Sequence, residues 1–137
     1  MRKQEPRKAS ASDPALDHES RGVIVLTSSI CATDGQEGHI GYSASKAGIN
    51  AMVLPAARDL GASKIRVVGL SPGSMDTPII AAYPKELLPL DTIPHPQRVG
   101  RPCEFASLVE MVFGQPMLNG EIIRLDGGIR GRGSKFF

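Results

Sequence analysis

Two short apolar runs on either side of a long helical pattern limit the folds open to this chain. Residues 23–26 are continuous, β-branched and entered from Gly22, and residues 65–70 are similarly rich in β-branched side chains. Runs of this length are typical of strands buried on both faces of a parallel sheet. Between them, residues 42–60 carry apolar side chains at helical spacing, with a bend expected at Pro55. The pattern predicts a strand–helix–strand unit with parallel strands and a right-handed crossover.

The second half of the chain continues the alternation of helix and strand. Residues 71–101 are rich in proline, hold only short helical possibilities around residues 79–83, and are predicted to form a long loop of the kind that covers a site. A helix is predicted from Pro102 to about Gly114, and a third strand over residues 121–125. The residues between the first strand and the long helix, 28–41, are predicted to be loop. The fold class is therefore α/β, in the order β-α-β-loop-α-β.

The two ends of the chain differ from its middle in composition. Residues 1–21 are polar and lack apolar periodicity, which predicts a disordered leader, whereas residues 22–128 are predicted to form the folded domain and residues 129–137 a flexible basic tail. A formal net charge of +2 is too small to favour nucleic acid as a partner. No stretch approaches the roughly 18 consecutive apolar residues of a membrane span. We therefore expect no membrane association.

Cysteine and histidine spacing favours neither a disulfide framework nor a metal site. Cys31 and Cys103 lie far apart and have no neighbours at metal-ligand spacing, and the three histidines fall in predicted loops. We therefore expect no metal and a reducing, cytoplasmic location. Cys31 lies close to Ser29, and it is either a reactive thiol or a small, half-buried side chain.

Residues whose side chains could take part in catalysis follow the predicted strands at their carboxyl ends, where ligands bind in open parallel sheets. Tyr42 and Lys46 are four residues apart at the start of a helix, so they share a face, and a nearby ammonium stabilises a phenolate. Ser29 follows the preceding strand and is placed to hydrogen-bond the same substrate oxygen. The pattern predicts proton exchange at an oxygen whose carbon gains or loses a hydride. A serine-acylase pattern, Ser43-x-x-Lys46, is the alternative, but the further signatures of that class are absent.

Several segments together resemble the short-chain dehydrogenase/reductase family. Tyr42-Ser43-Ala44-Ser45-Lys46, with Ser29 upstream, resembles the family's active-site segment. Ser71-Pro72-Gly73 with Thr77-Pro78 resembles the family's segment that lines the nicotinamide and ribose. Residues 119–128 resemble its last strand and turn. The resemblance implies a partial Rossmann-like, doubly wound parallel sheet that contains the family's last three strands. It also implies an NAD(P)-dependent oxidoreductase, with NAD as cofactor and a small-molecule hydroxyl or carbonyl as substrate.

The same resemblance implies roles for individual residues. Tyr42 is the acid/base, Lys46 its electrostatic partner, and Ser29 a donor to the substrate oxygen. The implied substrate contacts are Ser29, Gln36 and Tyr42, although Gln36 is equally well explained as an ordinary polar loop residue. The implied cofactor contacts are Tyr42, Lys46, Pro72, Gly73 and Thr77. Residues 79–89 are expected to form a loop that covers the substrate.

Within the family, the closer resemblance is to the type-2 3-hydroxyacyl-CoA dehydrogenases, also called type-10 17β-hydroxysteroid dehydrogenases. It implies 3-hydroxyacyl-CoA or hydroxysteroid substrates, a role in fatty acid metabolism, and a mitochondrial location as the alternative to a cytoplasmic one. The segments that carry it are residues 21–24, 34–36, 54–60, 119–121 and 123–127.

The chain also departs from the family pattern. The Gly-rich turn that binds the pyrophosphate, the acidic residue for the adenosine ribose and the catalytic asparagine have no counterpart, and the glycine-rich residues 127–133 follow the last strand. A chain truncated in this way is expected to expose a sheet edge, and to form a homo-oligomer or associate through that edge. The alternative function is therefore a catalytically inactive fragment or interaction module that binds no cofactor.

Overall fold

The computed structural model describes residues 3–5, 7–8, 19–82 and 90–130. Within these residues, no helix is long and apolar enough to cross a membrane. The strands are β1 (Arg7–Lys8), β2 (Glu19–Ser20), β3 (Gly22–Thr27), β4 (Ile65–Pro72) and β5 (Ile122–Leu125). The helices are α1 (Cys31–Asp34), α2 (Ile40–Gly61), α3 (Pro78–Ala81) and α4 (Pro102–Gly114), with a 3₁₀ turn at Leu90–Thr92.

The three long strands form one parallel sheet in the order β3-β4-β5. Gly22 pairs with Ile65 at the start of β3 and β4, and Gly69 pairs with Ile122 where β5 joins. The predicted α/β class and the parallel strand–helix–strand unit are confirmed. Because the strands are parallel, β3 and β4 end at the same edge of the sheet, and their following segments meet there.

The core lies on both faces of β4, which is buried along nearly its whole length. On one face, Val68 and Leu70 form a cluster with Val112 of α4, and all three are fully buried. On the other face, Val53 and Ala57 are the buried residues of α2. Gly69 permits this close packing, since a Cβ there would lie only 3.0 Å from a methyl group of Val53. The central strand thus separates two helical layers.

A buried arginine closes the carboxyl end of α4. Arg66 in β4 donates from NH1 to the carbonyl oxygens of Val112, Gln115 and Leu118 at 2.9–3.0 Å, and from NH2 to that of Phe113 at 3.2 Å. The last carbonyl groups of a helix have no partners within the helix, and a cation there also interacts favourably with the negative end of the helix dipole. Burial lowers the pKa of Arg66. The apolar strand therefore carries a charge whose hydrogen bonds tie the strand to the helix.

Several element boundaries differ from the sequence prediction. The long helix begins at Ile40 rather than at residue 42, and β4 runs to Pro72 rather than to residue 70. The prediction of continuous loop over residues 28–41 was wrong, because α1 interrupts it. Four residues are too few for a periodic signal, so tertiary contacts decide such a helix.

The chain ends remain largely outside the described residues. Strands β1 and β2 pair antiparallel within the predicted leader, most of which is not described. Residues 83–89 of the predicted covering loop and residues 131–137 of the predicted tail also lie outside. Ile129, the first residue of that tail, is buried. The disordered leader, the domain bounds and the flexible tail stay predictions.

The amino terminus of α4 carries an ion pair that should make stability depend on pH. Arg98 donates twice to Glu104, at 2.7 and 2.9 Å, and Glu104 also accepts the backbone N–H of Arg101 at 2.7 Å. The hydrogen bonds from Arg98 and then from Arg101 lower the pKa of Glu104 from 4.5 to about 2. A lowered pKa means that the charged carboxylate stabilises the fold above pH 4.5, and this stabilisation is lost as the pH falls towards 2.

We therefore expect Glu104→Gln to be less stable than the unaltered chain at pH 7 and nearly equal to it at pH 2. The thermal midpoints of both chains are measured from pH 7 to pH 2. The other carboxylates are the same in the two chains, so their effects cancel in the difference between the midpoints. A difference that stays constant across the range contradicts the expectation.

Candidate active site

The end of β3 presents Ser29 in a fixed orientation. The backbone N–H of Ser28 donates to Leu70 at 2.7 Å and that of Ile30 to Pro72 at 3.1 Å, so the chain after β3 follows the end of β4. Ser29 is only 7% exposed, and its Oγ accepts the N–H of Cys31 at 3.2 Å. Because this hydrogen bond uses a lone pair, the hydroxyl proton remains available for a ligand oxygen.

The first turns of α2 place Tyr42 and Lys46 beside the same strand end. Lys46 Nζ lies 5.8 Å from the centre of the Tyr42 ring and donates to the carbonyl oxygen of Thr27 at 3.2 Å. Ser28 Oγ donates to the backbone oxygen of Lys46 at 3.0 Å. These contacts hold the helix against β3. They leave Tyr42 partly exposed, at 44%, with a cation near its ring.

A cleft of about 420 Å³ opens between these elements and α3. Of the residues predicted for the site, Ser29, Gln36, Tyr42, Gly73 and Thr77 line it. Lys46 and Pro72 are not among its lining residues: Lys46 reaches the carbonyl of Thr27, and the carbonyl of Pro72 accepts the N–H of Ile30. The remaining lining residues are Ile30, Cys31, His39, Ser74, Met75, Ile79 and Ile80.

His39 is a cleft residue that sequence reasoning missed. Its ring lies edge-on to Tyr42, with 6.4 Å between ring centres, and its Nδ1 is 3.0 Å from the carbonyl oxygen of Glu37. No motif marked it, since a single histidine in a predicted loop is uninformative. His39 comes immediately before α2, three residues ahead of Tyr42, and the first turn of the helix places it beside the tyrosine.

Gly73 lies where the chain leaves β4 and enters the cleft. Its N–H donates to Leu125 at 2.9 Å, and a Cβ on Gly73 would lie 3.1 Å from the Cβ of Asp126. A larger residue at this position would require Asp126, in the turn after β5, to move by a few tenths of an ångström. Thr77, in extended conformation, then precedes α3, whose Ile79 and Ile80 form one wall of the cleft.

The opposite wall is tied to the last strand by a salt bridge. Arg124 of β5 donates from NH1 and NH2 to the two carboxylate oxygens of Asp34 in α1, at 2.8 and 2.6 Å. Hydrogen bonds to Asp34 and then to Asp126, opposed by burial, raise the pKa of Arg124. Sequence reasoning missed this residue too, although a charge inside a short apolar strand is a sign that a partner exists.

The sheet and the cleft at its carboxyl edge define a class of protein. A family model described as enoyl-(acyl carrier protein) reductase matches residues 7–130. The chain therefore belongs to the short-chain dehydrogenase/reductase family of oxidoreductases, as the sequence motifs predicted, and the sheet is Rossmann-like.

Several of its relatives share one name. The chain is 48% identical over 122 residues to 3-hydroxyacyl-CoA dehydrogenase type-2 of Drosophila melanogaster, covering 88% of this chain and 48% of the relative. It is 47% identical over 112 residues to the Homo sapiens protein of the same name, covering 80% and 43%. The crystal structure of 3-hydroxyacyl-CoA dehydrogenase type-2 from Mycobacterium avium matches with a TM-score of 0.83 at 39% identity, covering 95% and 48%. The predicted resemblance to the type-2 enzymes is confirmed, and the chain spans less than half the length of these relatives.

Family members generally use NAD(P), and the described residues fit one end of that cofactor. The hydroxyl of Tyr42, which lines the cleft, and the ammonium of Lys46 near its ring suit the polar nicotinamide ribose, and the cleft volume of about 420 Å³ lies within the range of small-ligand pockets. After β3 and β4 the chain enters four-residue helices, α1 and α3, and neither begins at a glycine-rich turn. Neither of these strand-to-helix turns therefore resembles a pyrophosphate site.

Proposed function

We propose that this chain carries the catalytic segment of an NAD(P)-dependent oxidoreductase that interconverts a hydroxyl and a carbonyl group. The observation that carries the proposal is the meeting of Ser29 and Tyr42 in one cleft, with the ammonium of Lys46 5.8 Å from the tyrosine ring. The substrate class is 3-hydroxyacyl-CoA, from the name that the relatives share, or a hydroxysteroid, as the resemblance in the sequence implies.

Tyr42 is the proton acceptor when the alcohol is oxidised. The substrate hydroxyl gives its proton to the Tyr42 oxygen, and Lys46, whose ammonium lies 5.8 Å from the centre of the Tyr42 ring, is its electrostatic partner. The bound cofactor supplies the acceptor for the hydride that leaves the same carbon. In the reverse direction Tyr42 returns the proton to the carbonyl oxygen.

Ser29 holds the reacting oxygen. Its Oγ already accepts the N–H of Cys31, so it meets the substrate as a donor. A donor fixed in a buried site stabilises negative charge that develops on the substrate oxygen, and it needs no reorganisation during the reaction. Ser29 is 7% exposed, which fits this requirement.

The residues of the site are divided between cofactor and substrate. Tyr42 and Lys46 would hold the hydroxyl groups of the nicotinamide ribose, Thr77 would contact the carboxamide, and Pro72 and Gly73 would line the nicotinamide and ribose. Gln36 is assigned to the substrate. The apolar side chains of Met75, Ile79 and Ile80 line the cleft and match the hydrocarbon part of an acyl chain or a steroid.

Self-association is part of the proposal. Helix α2 carries exposed apolar side chains at Ile40, Met52 and Leu54, with exposures of 86%, 53% and 44%. Among the described residues β3 pairs with β4 alone, which leaves its other edge for a further strand. Both features favour a homo-oligomer or association through the sheet edge.

Turnover of defined substrates tests the proposal. The purified chain is mixed with NAD⁺ and 3-hydroxybutyryl-CoA, or with NAD⁺ and a hydroxysteroid, and NADH formation is followed by absorbance. We expect NADH to form with the acyl-CoA, whereas formation with the steroid alone selects the other substrate class. No NADH with either substrate, at high enzyme concentration and with NADP⁺ as well, contradicts the proposed activity.

A further inference from the structure

The guanidinium of Arg124 is the centre of a polar cluster that joins three parts of the chain. Besides its two hydrogen bonds to Asp34, it donates from Nε and NH2 to Asp126 at 2.9 and 2.6 Å. NH1 also donates to the hydroxyl of Thr33 at 2.9 Å, and NH2 to the carbonyl oxygen of Ile129 at 3.0 Å. Each of the three guanidinium nitrogens therefore has at least one acceptor. The cluster is largely buried, with side-chain exposures of 20% for Arg124, 17% for Asp34 and 5% for Asp126.

Helix α1, whose Asp34 accepts the hydrogen bonds from Arg124, belongs to the wall of the cleft that contains Ser29. Asp34 is the last residue of α1, and this helix begins two residues after Ser29. Ile30 and Cys31, which follow Ser29 directly, line the cleft and are buried in a small cluster with Ile93 and Ile129.

Helix α1 cannot hold this position by itself. It has four residues, and its N-cap residue, Ile30, makes no side-chain hydrogen bond to it, so its first N–H donates instead to the neighbouring Ser29 hydroxyl. A single helical turn is unstable without tertiary contacts, because few hydrogen bonds offset the entropy of fixing it. Ile30 and Cys31 hold the start of the helix in the apolar cluster with Ile93 and Ile129. The bidentate hydrogen bonds from Arg124 hold its last residue, Asp34. A planar guanidinium matches a carboxylate in a way that a lysine ammonium does not.

We propose that Arg124 is a positioning residue of the active site, which acts through Asp34 to hold α1 and thereby Ser29 and Cys31 in the cleft wall. Its bearing on the reaction rests on the proposed function. The positioning itself has a readout without turnover, because Cys31 is buried at 7% within the held segment.

Thiol labelling measures that readout. The folded chain is treated with N-ethylmaleimide, and the rates at Cys31 and Cys103 are followed by peptide mass spectrometry. Cys103 is exposed in the same chain and serves as internal reference. In Arg124→Met we expect labelling of Cys31 to accelerate by roughly tenfold or more, while labelling of Cys103 is unchanged.

Arg130→Met is the matched control. Arg130 donates to the same Asp126 oxygen at 2.7 Å, so its loss disturbs the cluster without removing a bond to Asp34. We expect Cys31 labelling in this variant to stay within about twofold of the unaltered chain, since its 63%-exposed side chain holds little in place.

Two further measurements separate positioning from general loss of stability. Asp34→Asn should accelerate Cys31 labelling as Arg124→Met does, and the double variant should add little to Arg124→Met, because both single variants remove the bond between Arg124 and Asp34. Hydrogen exchange of the β4 amides reports global opening and should change far less than the Cys31 rate. An unchanged Cys31 rate in both single variants overturns the proposal. So does a loss of β4 protection as large as the gain at Cys31.

The labelling result and the turnover result are independent. If the unaltered chain forms no NADH but Arg124→Met still exposes Cys31, the proposed function fails and the positioning by Arg124 stands. If the chain turns over substrate and Cys31 labelling does not change, the positioning fails and the proposed function stands.

Discussion

Tyr42→Phe should reduce turnover of 3-hydroxyacyl-CoA by about 10²–10⁴-fold, the usual contribution of a general acid or base. Phenylalanine keeps the ring that lies near Lys46 and His39 but cannot exchange a proton. The loss should therefore fall on kcat, with the fold and the thermal midpoint nearly unchanged. Steady-state NADH formation by the two chains measures it.

Ser107→Ala is the control for this prediction, because it also removes one hydroxyl. Ser107 is exposed on α4 and is not among the residues that line the cleft. We expect its turnover to equal that of the unaltered chain. Equal turnover by Tyr42→Phe and Ser107→Ala contradicts the catalytic role of Tyr42, whatever the absolute rate.

Leu70→Ala should cost about 2–5 kcal/mol of unfolding free energy, the range for truncating a fully buried leucine. Leu70 is 0% exposed and packs between β4 and α4 with Val68 and Val112. Truncation leaves a cavity in the layer where the central strand meets that helix. Urea denaturation followed by circular dichroism measures the change in midpoint.

Met117→Ala is the matched truncation at the surface. Met117 is 91% exposed, so its loss should change the unfolding free energy by no more than about 0.5 kcal/mol. If the two substitutions prove equally costly, the sheet does not form the core as described.

The fold was largely predictable because its strongest signals are local. The apolar runs at β3 and β4 and the helical spacing of α2 come from burial, and burial of a central parallel strand demands uninterrupted apolar sequence. Boundaries were less predictable. Helix α1 escaped notice because its four residues show no period, and the contacts that form it come from elsewhere in the chain.

The candidate site was predictable only where a motif has fixed spacing. Tyr42 and Lys46 are four apart on one helix, and Ser29 follows a recognisable strand, so sequence reasoning brought them together before the structure did. The bond between Asp34 and Arg124 joins residues 90 positions apart, and no local pattern encodes it. His39 likewise became a cleft residue only through the packing of α2 on β3.

Binding of NADH tests the proposed cofactor site most directly. The chain is titrated into a fixed low concentration of NADH, and the fluorescence of the reduced nicotinamide is followed, in parallel with Lys46→Met and Lys64→Met. Lys64 precedes β4 at the opposite end of the sheet from the cleft, so its substitution removes the same charge elsewhere. We expect saturable binding by the unaltered chain and by Lys64→Met, and much weaker binding by Lys46→Met. No saturation at millimolar protein, or equal binding by all three chains, contradicts a cofactor site at this cleft and favours an interaction module without catalytic activity.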